Sequence, residues 1–133
     1  MVQRYVHMLP VEREIWDRWM QRYGNLFYEY QYDVRVGEGM EVRPEWGDDI
    51  ARLAKLLTQK RIDVVAYRHG EIWIIEVKPH VGTGAYGQIK VYEKLLRKKL
   101  GEDVVIKLAF VCETIDPDVK KLLEEEGITV WQV

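Results

Sequence analysis

Two apolar runs, Arg61 to Tyr67 and Glu71 to Lys78, flank the dipeptide His69-Gly70, and this pairing constrains the chain more than any other feature. Both runs are rich in Ile and Val, and a two-residue break containing Gly is a signal for a tight β-hairpin. With His69-Gly70 as the turn, Arg68 faces Glu71. Stepping outward then pairs Tyr67 with Ile72, Val65 with Ile74 and Asp63 with Glu76. A four-residue loop keeps this register; a loop longer or shorter by one residue shifts it. Directly opposed Cβ atoms lie about 4.5–5.5 Å apart, so Asp63 and Glu76 meet on one face at one level. Alternation puts Lys78 on that face too, about 6.6 Å further along the strand, while Trp73, Ile75 and Val77 point the other way.

Opposed like charges are a poor choice for stability alone. They cost roughly 0.2–1 kcal/mol in an exposed sheet and more as water is excluded. A divalent cation removes the penalty, because hard carboxylate oxygens are the donors that Mg²⁺ or Mn²⁺ prefers. A structural ion-pair cluster, with Lys78 bridging both acids, is the alternative reading of the same three residues.

The rest of the chain reads as a mixed sheet with helices packed on it. Pro10 opens a helix whose apolar residues Val11, Ile15, Trp16, Trp19, Met20 and Tyr23 recur at helical spacing until Gly24. Leu26 to Val36 reads as an aromatic-rich strand, and residues 37 to 49 as the one clear loop. Asp48 or Asp49 is placed to cap a short helix with Ile50, Leu53, Ala54 and Leu57 on one side. Pro79 is expected to stop the second hairpin strand, having no N–H for a ladder. A glycine-rich loop, HVGTG, leads to a helix from about Ala85 to Leu100. Val104 to Cys112 is a buried-type strand. A helix starting at Asp116-Pro117 and ending at Gly127, then a strand from Ile128 to Gln132, complete the order α-β-(α)-β-β-α-β-α-β.

Composition bounds the class. The 133 residues suffice for a single domain, taken as 1–133, with 47% hydrophobic and 32% charged residues. One cysteine, Cys112, excludes an intrachain disulfide framework and a Cys-based zinc site and suits a reducing compartment. No stretch has the roughly 18 apolar residues of a membrane span, and charges interrupt the N-terminus where a signal peptide needs an apolar segment. The expected location is therefore cytoplasmic, including a virus-encoded protein acting in the host cytoplasm. The net charge of −2 gives no bulk support for nucleic-acid binding, so any basic footprint must be local.

The segment IDVVAYRHGEIWIIEVK, with Asp63 followed after twelve residues by Glu76-Val77-Lys78, resembles the D…(D/E)-x-K signature of the PD-(D/E)XK, or restriction endonuclease-like, nuclease superfamily. Position 62 is Ile where the family name has proline. The family's helix, three strands, helix and further strand match the order above, and the resemblance covers the first helix through Cys112. It implies a DNA-cleaving hydrolase. Asp63 and Glu76 would hold Mg²⁺ or Mn²⁺, with the Val77 carbonyl, and Lys78 would position the attacking water. Gln88 and Tyr92, four apart on one helix face, resemble the Q-x-x-x-Y element of RecB-like nucleases, which supports the site and contacts DNA. Glu12 lies at the centre of the first helix's apolar face, where a carboxylate needs a partner. Superfamily members, archaeal Holliday junction resolvases among them, supply a third acid from this helix, so the resemblance carries that role onto Glu12 ahead of Glu14, Asp48 or Asp49; a first-turn acid favoured by the helix dipole is the alternative reading of Glu12.

His80, two residues past Lys78, is a further candidate for the site, although a loop histidine is ordinarily solvated. Lys90, Lys94, Arg97 and Lys98 form a polar helix face that becomes a candidate phosphate contact if DNA binds, as do Arg61 and Arg68 beside the hairpin. The expected partner is DNA, single-stranded or branched substrates included. A homodimer or larger nucleic-acid-processing complex is a further expectation, with the aromatics of LFYEYQY as an interface. A catalytically idle module on the same fold, serving protein or nucleic-acid binding, is the competing reading.

Overall fold

The structure, a computed structural model, describes residues 7–133. His69 and Gly70 both take positive φ, 43° and 78°, as a two-residue hairpin turn of this kind requires. Strands β2 (Lys60–Arg68) and β3 (Glu71–Val81) pair antiparallel from Arg68↔Glu71 to Val64↔Ile75, the register expected from the sequence. Strand β1 (Glu29–Val36) adds antiparallel beside β2, and β4 (Val105–Ile115) and β5 (Thr129–Gln132) add parallel beyond β3. The result is a mixed α/β fold with a five-stranded sheet ordered β1-β2-β3-β4-β5. Four helices accompany it: α1 (Pro10–Tyr23), α2 (Gly47–Thr58), α3 (Thr83–Leu100) and α4 (Pro117–Glu125), in the expected order. No helix among the described residues is long and apolar enough to cross a membrane.

Each sheet face carries its own core. On one, α1 lays Ile15, Trp16 and Trp19 over Val64, Ala66, Ile75, Val77, Ala109 and Val111. Trp16 and Trp19 stack at 4.8 Å between ring centroids, and Tyr30 meets both edge-on. On the other, α3 and α4 cover Val65, Ile74, Leu108, Phe110 and Cys112 with Ile89, Tyr92, Leu96 and Leu123.

The two cores meet at a break in the strand pattern. In β1, Tyr30 and Tyr32 pack with the α1 core but Val34 and Val36 with the α3 core; in β2, Val64 and Ala66 pack with the first but Ile62 with the second. Residues of one parity therefore change faces between 32 and 34 and between 62 and 64. Asp33 sits at the crossing with φ of 54°, a left-handed conformation that Asp tolerates better than most residues. Asp63 stands opposite it on β2.

Several expected boundaries move. Strand β3 does not stop at Pro79 but runs on to Val81, pairing His80 with Thr114 and Val81 with Ile115. The Val77 N–H points toward β2, and Pro79, two residues on, shares that orientation. Pairing with β2 has already ended there, so the missing N–H costs no ladder bond. Helix α3 accordingly begins at Thr83, and Leu26 belongs to a 3₁₀ turn before β1. Neither Asp48 nor Asp49 caps α2: both lie inside its first turn, after Trp46 at the N-cap. By contrast, Asp116 does cap α4, accepting from the Asp118 and Val119 amides. The LFYEYQY aromatics mostly cover the α1 core. Phe27 is buried and only Tyr28, 73% exposed, stands out. The apolar side of α2 is left open instead, with Ile50, Leu53 and Leu57 each more than half exposed.

Trp19 is fully buried and stacks or packs against Trp16, Tyr23, Phe27 and Trp131. Trp19→Ala is expected to lower the unfolding free energy by about 3–5 kcal/mol, read from urea denaturation followed by far-UV circular dichroism.

Candidate active site

The β2–β3 ladder ends one step short of the opposed acids, and their side chains take over the pairing. The Glu76 Oε2 accepts from the Asp63 backbone N–H at 2.8 Å, and the Asp63 Oδ2 accepts from the Val77 N–H at 2.9 Å. The strands splay here, and each carboxylate satisfies an amide that the ladder no longer reaches. Glu76 is the one buried charged residue among the described residues, 2% exposed; Asp63 and Lys78 are half-buried.

Burial, opposed by the Val77 amide bond, pushes the Asp63 carboxyl from the ordinary 3.8 up to about 6, with the charges of Glu12 and Asp33 adding and Lys78 subtracting. Burial likewise holds Glu76 well above the usual carboxylate range, reinforced by Asp63 and moderated by the Asp63 amide and by Lys78. Two desolvated acids, with further acids and a lysine within electrostatic reach, make an electrostatic site that a cation stabilises.

Glu12 is half-buried while Glu14 is exposed. Its Oε1 accepts from the Leu9 N–H at 2.9 Å, and its charge is felt at both Asp63 and Glu76. Gln88 donates to the Tyr92 hydroxyl at 3.1 Å. Burial raises the Tyr92 phenol, and the Glu76 and Asp63 charges raise it further, which puts this pair beside the acids. Asp33 escaped the sequence reading, although an Asp inside an aromatic strand pattern is disfavoured enough to mark it.

The remaining candidates lie elsewhere. His80 is exposed and shares a hydrogen bond with Thr114 Oγ1 at 2.8 Å. The Arg61 guanidinium sits against the His7 ring. Arg68, at the hairpin tip, is about 17 Å along β2 from Asp63. Lys90 pairs with Glu93 at 3.0 Å, Arg97 donates to the Val104 carbonyl at 2.9 Å, and Lys94 is exposed.

The donor set suits a hard divalent ion. One oxygen of each carboxylate is held by an amide, and the other has no hydrogen bond among the described residues. The Val77 carbonyl shares its N–H's side of the strand and so faces the same opening. Among the described residues no three His, Cys, Asp or Glu side chains converge as a cage. Mg²⁺ does not need one, since it commonly keeps several waters and takes one or two protein carboxylates.

No family model and no curated protein matches this chain. Its fold is shared with the solved structures of a repair endonuclease and of EndoMS. The repair endonuclease, from Pyrococcus abyssi, superimposes with a TM-score of 0.56 at 19% identity, over 95% of this chain and 48% of that one. An EndoMS–dsDNA complex gives 0.54 at 16% identity, over 96% and 47%, and EndoMS in its apo form gives 0.53 at 18%, over 92% and 45%. The chain thus spans about half the length of these neighbours.

As pH rises above about 4, both acids retain in the folded state protons that the unfolded chain has already released. Their contribution to stability is therefore present below a pH of about 4 and lost as pH rises through about 6 and beyond. Thermal melts in EDTA are expected to show stability falling from pH 4 to pH 8 by on the order of 2 kcal/mol from Asp63 alone. Glu76→Gln, which keeps an acceptor and loses the charge, flattens that fall. A wild-type stability that rises across this window contradicts the assignment.

Proposed function

We propose that this chain is a metal-dependent nuclease of the PD-(D/E)XK type that hydrolyses DNA phosphodiester bonds. The observation that carries the proposal is the splayed hairpin end, where Asp63 and Glu76 are desolvated together, each with one unbonded oxygen, and Lys78 follows two residues on. The likeness in fold to a repair endonuclease, and to EndoMS solved with double-stranded DNA, supports the choice of reaction and substrate. Preference for single-stranded, duplex or branched DNA, and assembly as a homodimer or in a larger complex, are part of the proposal and do not follow from the fold likeness.

Asp63 and Glu76 would hold Mg²⁺ or Mn²⁺, with the Val77 carbonyl and Glu12 as further donors. The ion supplies Lewis-acid polarisation of the phosphate oxygens and neutralises charge there. The chain's own residues orient and exclude. Lys78, on the same face as Glu76, orients the attacking water and stabilises negative charge developing on the phosphoryl oxygens. Water adds across the P–O bond: its oxygen bonds to phosphorus, the bond to the leaving sugar oxygen breaks, and that oxygen takes up a proton. The Gln88–Tyr92 pair keeps the helix side of the site ordered, and Asp33 adds negative charge that favours the cation.

The test is cleavage of single-stranded, duplex and branched DNA with Mn²⁺, Mg²⁺ or EDTA, beside Lys78→Ala and Asp63→Asn. Asn retains the acceptor for the Val77 amide, which Ala would orphan at a cost of about 1–3 kcal/mol. Metal-dependent cutting is expected, lowered at least about 100-fold in each variant; undiminished metal-dependent cutting in both variants overturns the proposal. The idle-module reading draws on the fact that both carboxylates already serve structural hydrogen bonds. It predicts no cutting and no Mn²⁺ binding by calorimetry.

A further inference from the structure

Two neighbouring openings lie between α3 and the β1–β2 side of the sheet, and together they form a groove. Its inner part, about 410 Å³, is lined by Lys60, Gly87, Gln88, Val91 and Tyr92. Its outer part, about 540 Å³, is lined by Arg35, Gln59, Leu95, Lys98 and Lys99, with Glu38 as its one acid. The linings of the two parts adjoin. Lys60 is the cross-strand partner of Val36, which lines the outer part, and Leu95 follows Val91 by one helical turn. Tyr92, at the inner end, lies within electrostatic reach of Glu76 and Asp63. Lys60 is about 10 Å along β2 from Asp63, and Lys98 about 9 Å along α3 from Tyr92.

Four cations therefore stand in one trough leading away from the candidate site, and none of the four is in an ion pair among the described residues. Lys99 reaches the Arg35 carbonyl at 3.4 Å, whereas Lys90 is held by Glu93 and Arg97 by loop carbonyls. Gly87, in the lining of the inner part, is an exposed glycine on helical backbone, and a Cβ there would meet nothing. The fold does not require glycine there, and it costs about 0.5–1 kcal/mol against Ala, yet it leaves the groove wall bare beside Gln88.

We infer that this groove holds the sugar–phosphate backbone of a DNA strand running outward from the acids, with Lys60, Arg35, Lys98 and Lys99 contacting successive phosphates. The inference rests on the nuclease reading for the identity of its ligand. About 10 Å accommodates on the order of three nucleotide steps of a duplex strand. The arrangement also reconciles a net charge of −2 with a polyanionic ligand, because the positive field is confined to one trough.

The experiment is fluorescence anisotropy of labelled single-stranded and duplex oligonucleotides in EDTA over a range of salt. It compares wild type with Arg35→Ala/Lys98→Ala/Lys99→Ala and with Arg22→Ala/Lys121→Ala, which removes exposed cations outside the groove. The groove variant is expected to bind about ten-fold or more weakly at low salt, and its slope of log affinity against log salt to fall by about 2–3. The outside variant should bind like wild type. Equal losses in both variants, no loss in the groove variant, or no binding of any oligonucleotide overturns the groove. Cleavage with added metal separates the two readings. A groove variant that binds and cuts like wild type rejects the groove and leaves the nuclease standing; the expected slope change without cutting by any protein rejects the nuclease and leaves the groove.

Discussion

The exchange of hydrogen bonds between Asp63 and the β3 backbone, and between Glu76 and the β2 backbone, is the constraint on which the rest of this site depends. A hairpin that opens in the interior exposes amides, and an orphaned amide there costs about 1–3 kcal/mol. Here each acid closes one such gap, and doing so draws both carboxylates out of water and toward each other. The opening, the burial of Glu76 and the upward displacement of both acids are thus one event seen at three levels. The same opening lets β3 continue through Pro79, whose absent N–H faces the side where β2 no longer pairs.

The change of faces at Asp33 and Asp63 explains how residues from both sides of a sheet reach one point. Strict alternation would confine Asp63 to the α3 side and leave α1 beyond reach. Because β1 and β2 pass from one core to the other here, Glu12 on α1 acts electrostatically on the same carboxylates that Tyr92 on α3 senses from the opposite side. The aromatic packing around Trp16 and Trp19 fixes α1 against the sheet and so fixes where Glu12 stands.

Much of the fold, and the facing of the two acids in the candidate site, were legible in the chain. Hairpin register follows from a two-residue turn and period-two alternation, both local properties, so the facing of Asp63 and Glu76 needed no tertiary information. The i, i+4 spacing of Gln88 and Tyr92 is likewise a property of one helix. The choice of Glu12 over Glu14 came from the helical projection, and the exposure of Glu14 agrees with it. Asp33 was missed because its importance depends on a cross-strand neighbour thirty residues away. The true run of β3 was missed because a proline is judged by its own missing donor, whereas what mattered was which side that donor would have faced.

By itself the sequence determined the order of elements, the pairing of β2 with β3 and the identity of the acid pair, since hydrophobic period, turn chemistry and caps act over a few residues. Only the tertiary structure decided where the ladder ends, which cations stand in ion pairs, and that the apolar side of α2 stays uncovered while the LFYEYQY aromatics turn inward. These depend on packing between segments far apart in the chain. A side chain's neighbours there are set by how whole elements cross, which no local pattern records.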